Sequence, residues 1–302
     1  MELNSALAKL KDVEIEEKLI DNSFNVAPEP ALPVHVLPEA SPNNPPWNIP
    51  EAFGVWIASV LFIVILPTLF LLPYLMNLRP PITDSGELME FAKSDPTSII
   101  LQIVSVIPAH IFTIMLAWLV VTRVRKYPFL KMLGWNGGGV KMWVTYPLIL
   151  VAFIAIASLV NSFFPEQEND LIRILRSSRT AVYVVAFMAT FTAPFVEEVV
   201  YRGILYSSLQ RRIGVPAGFA LVTFLFAVVH VPQYYPSYST IFLLLLLSIT
   251  LTSIRVKTGN LLPCVILHTL FNGMQSVGLL FNPYSNTTDV PDPSAFIFHL
   301  LK

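Results

Sequence analysis

The sequence predicts an all-α fold: a polytopic membrane helix bundle of about seven transmembrane helices behind a disordered, proline-rich N-terminal arm. Three observations carry this reading. Of 302 residues, 54% are hydrophobic and only 13% charged, about half the charged fraction of soluble domains. The apolar residues gather into about seven runs long enough, or nearly so, to cross a bilayer. The first fifty residues instead collect prolines and polar groups.

Residues 1–20 are charged and faintly helical (Leu7, Leu10, Val13, Ile15, Leu19). They hold no apolar h-region, so no signal peptide is expected there. Residues 1–50 form the predicted cytoplasmic arm. Its prolines, from Pro28 and Pro30 through Pro42, Pro45, Pro46 and Pro50, remove backbone donors and disfavour helix. The arm reads as an unstructured extension, with docking to a partner as the alternative. Spans are predicted over 53–76, 97–121, 142–164, 180–205, 215–231, 239–256 and 260–281, within a membrane domain of 51–284 and before a tail of 285–302. Segment 166–179 is expected to be a short interfacial helix. The turn between spans four and five is placed at Arg212-Ile213-Gly214, with Pro216 opening the next helix.

The connections carry an orientation signal. Arg123, Arg125, Lys126, Lys131 and Lys141 follow span two; Arg211 and Arg212 follow span four; Arg255 and Lys257 follow span six. The positive-inside rule then predicts a cytoplasmic N-terminus and an external C-terminus. Arg173, Arg176 and Arg179 fall on the opposite side and pull against it. A net charge of −1 gives no reason to expect a nucleic-acid partner. The lone Cys264 excludes an intrachain disulfide and reads as a small packing residue. No internal repeat supports a transporter.

Inside the apolar runs stand groups that a bilayer penalises by several kcal/mol unless they pair or line a wet cavity. They are Glu197, Glu198 and Arg202 on span four, Phe226 and His230 on span five, and His268 and Asn272 on span seven. Residues four apart share a helix face. Glu198 can therefore pair with Arg202, leaving Glu197, in register with Tyr201, as the acid/base candidate. From the four–five turn, Glu197 and His230 each lie about 16 residues away, roughly 24 Å, so a hairpin brings them level. His268 lies only about 10 Å from its own turn, which requires a tilted span seven or a protruding four–five hairpin. His110 lacks a partner at helical spacing and reads as an interhelical hydrogen-bonder; His35 and His299 receive no role. Tyr201 and Phe226 read as packing beside the site.

In order, Glu-Glu-x-x-x-Arg, Phe-x-x-x-His and His-x-x-x-Asn resemble the motifs of the CAAX-type prenyl-protein endopeptidase and bacteriocin-processing (Abi, CPBP) intramembrane protease family. Phe129-Leu-Lys-Met-Leu-Gly134-Trp resembles a further segment of that family, and the resemblance covers roughly residues 125–281. It implies hydrolysis of a peptide bond in a membrane peptide or lipid-modified protein. Residue chemistry agrees: Glu197, helped by His230, would deprotonate water. His268 and Asn272 would donate to the oxyanion, and Glu198 with Arg202 would brace the site. No Gly-x-Ser-x-Gly elbow supports a serine nucleophile. No cofactor is favoured, because His-Glu-x-x-His is missing; zinc on Glu197, His230 and His268 is the alternative. A non-catalytic membrane scaffold or bacteriocin-immunity protein is the rival from another class.

Overall fold

The computed structural model describes residues 39–137 and 141–281. The predicted arm up to residue 38, the tail 285–302, His35 and His299 lie outside them. Seven helices are long and apolar enough to cross a membrane. They are α1 (Ile49–Met76), α2 (Pro96–Thr122), α3 (Val144–Phe163), α4 (Arg179–Ile213), α5 (Val215–Tyr234), α6 (Tyr238–Thr258) and α7 (Leu262–Phe281). Large apolar side chains such as Leu61 and Val64 on α1, Phe112 and Met115 on α2 and Leu148 and Val151 on α3 face outward and exposed. An outward apolar surface on spans of this length belongs in lipid, and the chain is an integral, multi-pass membrane protein. The expected interfacial helix forms over Asp170–Ser177, capped by Asn169.

Two close backbone approaches set the hairpins. At Gly214 the backbone takes φ +84°, and α5 starts at once with Pro216 in its first turn. A Cβ on Gly218 would lie 3.0 Å from the Gln210 nitrogen, so glycine lets α5 lie close against the end of α4. The α6–α7 turn docks lower on α4, where Leu261 and Leu133 pack at Gly203. That point is about eleven residues short of Gly214, or about 16 Å along the helix. The four–five hairpin therefore protrudes, which is how His268 reaches the level of Glu197.

Beside the protrusion lies the one departure from the expected arm. Residues 40–48, predicted to be disordered, are built into the protein. Trp47 is fully buried and donates through Nε1 to the Ile204 carbonyl at 3.0 Å. Arg255 donates to the Pro42 carbonyl at 3.2 Å, Arg211 to Pro45 and to Trp47, and Arg123 to Pro46. Proline brings no N–H that needs a partner, and the arginines satisfy its carbonyls, so burying this stretch leaves those groups paired. The compact unit accordingly begins at Ala40.

Candidate active site

The core of the site is α4, and its backbone is irregular there. Two π-helical stretches, Met188–Thr192 and Val199–Leu205, flank the α-helical turn that carries Glu197 and Glu198. Such stretches are rare and concentrate at functional sites. Pro194 accounts for the first. In the π register Ala193 N–H bonds the Met188 carbonyl, and the next bond, to Ala189, would need an N–H that proline lacks. Asn272 of α7 fills the gap, its Nδ2 donating to the Ala189 carbonyl at 2.9 Å. In the second stretch, Arg255 Nε and Trp47 Nε1 donate to the carbonyls of Arg202 and Ile204. Side chains from other elements thus hold both stretches.

The carboxylates divide as helical spacing predicts. Glu198 and Arg202 are both fully buried and bonded at 2.8 Å. Arg202 also donates to Thr252 Oγ1 at 3.3 Å and to Ser248 Oγ at 2.8 Å, both on α6. Its guanidinium lies 4.5 Å from the centroid of the Phe226 ring, a cation–π contact strengthened by desolvation. The other partner of Glu198 Oε1 is His268 Nδ1, at 2.9 Å. A buried charge pair costs less when its remaining valences are met; side chains of α6 and α7 meet most of them, and Glu198 Oε2 is left without a hydrogen-bond partner among the described residues.

Glu197 is free of the arginine. His230 Nε2 lies 4.0 Å from its Oε1 and His268 Nε2 lies 3.8 Å from its Oε2. Both separations exceed a direct hydrogen bond. The histidines are oriented from behind. The Phe226 carbonyl only accepts, so His230 Nδ1, 2.7 Å away, carries a hydrogen; the Glu198 carboxylate does the same for His268. Each ring therefore turns Nε2 toward Glu197. Phe226 is wedged among them, its ring centroid 4.8 Å from that of His230 and 5.1 Å from that of Tyr201. Tyr201 is itself held by Trp56 of α1, Nε1 to OH at 3.1 Å.

Glu197, Glu198, Arg202, Tyr201, Phe226, His230 and His268 thus come together. Asn272 is joined to the same α4 segment but spends one N–H on Ala189. Ser248, Thr252 and Trp56 were not singled out from sequence. Ser248 and Thr252 carried a readable signal, two hydroxyls four apart in a leucine-rich helix; Trp56 carried none. Cys264 is buried and lies within 3.4 Å of the Leu251 carbonyl, as a packing residue would.

No curated protein and no solved structure matches the chain. Residues 179–274 match the family model for type II CAAX prenyl endopeptidase, Rce1-like. This segment runs from the start of α4 through His268 and Asn272 and contains every motif residue of the site. Over this segment, about a third of the chain, the protein is similar to the CAAX-type (CPBP) family of intramembrane proteases.

Proposed function

We propose that Glu197 and His230 activate a water molecule inside the membrane to cleave a peptide bond of a prenylated or otherwise lipid-modified substrate. The observation that carries this is the convergence of two imidazole Nε2 atoms on one carboxylate, at 3.8 and 4.0 Å. Gaps of that size suit a bridging water better than direct contact. Such a water would donate one hydrogen to Glu197 and the other to His230 Nε2. Glu197 takes the proton as the water oxygen adds to the scissile carbonyl, then returns it to the leaving amine as the C–N bond breaks. His268, as an imidazolium whose charge Glu197 balances while Glu198 holds Nδ1, donates from Nε2 to the oxyanion. The second amide hydrogen of Asn272 serves the same oxygen. Each well-placed donor is worth about 3 kcal/mol of barrier. Orientation follows the basic connections, with the N-terminus in the cytoplasm.

A zinc-dependent version of the reaction is the second reading. In its favour, both histidines have Nδ1–H anchored and Nε2 presented, the arrangement common in histidine metal ligands, and with Glu197 they make a His₂Glu donor set. Against it, the sequence carries no His-Glu-x-x-His motif.

The test is cleavage of a prenylated CAAX peptide by purified protein after exhaustive chelation. Retained turnover supports the glutamate mechanism. Loss that stoichiometric zinc restores selects the metal. Wild type and Glu197→Gln leaving every candidate peptide uncut, in membranes as well as in detergent, would favour a scaffold.

A further inference from the structure

A third histidine is presented to the same region, from a helix to which the motifs assign nothing. His110 is on α2 and is 9% exposed. Its Nδ1 lies 3.0 Å from Thr192 Oγ1. The Thr192 hydroxyl donates its single hydrogen to the Met188 carbonyl at 3.1 Å, so it can only accept from the imidazole. His110 therefore carries its hydrogen on Nδ1 and leaves an Nε2 lone pair. The orientation matches that of His230 and His268: an oxygen of the scaffold holds Nδ1, and Nε2 is presented.

Its place is fixed by α4. Thr192 stands five residues before Glu197, about 7.5 Å along the helix axis. Ala189, which Asn272 holds, lies one turn further. His110 Nε2 bonds to no described residue and is not among the sealed polar atoms. An extended peptide rises about 3.3 Å per residue, so the offset from Glu197 spans two to three substrate residues.

We propose that His110 binds the substrate, its Nε2 accepting a hydrogen bond from a backbone N–H two or three residues from the scissile bond. This rests on the protease reading above. A neutral imidazole with Nδ1 committed has only an acceptor to offer, and an extended peptide supplies donors at that spacing.

Replacing single peptide amides of the substrate by esters removes one N–H at a time and tests the contact directly. Purified full-length protein is assayed with the parent prenylated peptide and with esters at the second and third residues on either side of the cleavage point. In the wild type one of these esters is expected to raise KM about tenfold, the size of one lost hydrogen bond, with kcat within twofold. In His110→Ala the parent peptide already shows the raised KM, and the same ester adds less than twofold. Thr192→Val, which releases Nδ1, should shrink the ester penalty while the thermal midpoint stays near that of the wild type. Ester penalties of equal size in wild type and His110→Ala overturn the proposal, as does His110→Ala losing kcat and thermal midpoint with KM unchanged. Wild type failing to cut the parent peptide strikes the protease reading, and this inference with it.

Discussion

Two arginine-centred knots hold α4, and they do so by opposite means. At mid-helix Arg202 is wholly buried and faces a carboxylate, Glu198, with Ser248 and Thr252 closing its remaining valences. At the protruding end Arg211 and Arg255, with Arg123 nearby, face mainly backbone carbonyls of the strap 40–48. Arg123 and its carboxylate partner Glu51 are about a third exposed. The same guanidinium chemistry thus serves a charge-neutralising role inside the bilayer and a chain-fastening role at its edge. The partner decides which, since Arg255 is buried as completely as Arg202. Burial sets the cost of a break, because removing one partner of a sealed ion pair leaves an uncompensated charge, whereas the half-wet Arg123–Glu51 pair has water to fall back on.

That contrast can be broken by substitution. Arg202→Met should be the most damaging change, costing about 3–5 kcal/mol in detergent unfolding because Glu198 stays buried without its countercharge. The double variant Arg202→Met with Glu198→Gln should recover part of that stability but not the activity. A loss below about 1 kcal/mol for the single variant would show that water reaches the pair. Next in size is the join between α7 and the irregular backbone of α4. Asn272→Ala should cost about 1–3 kcal/mol by orphaning the Ala189 carbonyl. Pro194→Ala supplies the missing N–H and should reduce that cost; a strictly additive pair would contradict the account of the first π stretch. Arg123→Ala should be mildest, about 0–1 kcal/mol, and salt should weaken the wild-type pair as well.

The two knots also differ in how far sequence revealed them. Helical spacing was enough to pair Glu198 with Arg202 and to set Glu197 apart, because i,i+4 geometry is local. Hairpin arithmetic from Gly214 put Glu197 level with His230, because both helices start from one tight turn. The outer knot was misread. Prolines signalled disorder for residues 40–48, since composition does not reveal that three arginines, distant in sequence, would take their carbonyls. Those arginines, Arg123, Arg211 and Arg255, had been counted as loop charges for orientation; Arg255 is fully buried within α6. The level of His268 was equally out of reach, because it depends on where Leu261 docks on α4, at Gly203. His110 reads from sequence as an interhelical hydrogen-bonder and is one, but its partner, Thr192, was out of reach because it lies on another helix.

The most direct test of the central claim is single-turnover cleavage of a prenylated CAAX peptide by Glu197→Gln and by wild type at matched thermal midpoint. The account predicts a rate lower by at least about a thousandfold in the variant, since the amide cannot take the proton of the attacking water. Cleavage by Glu197→Gln within tenfold of wild type would contradict it.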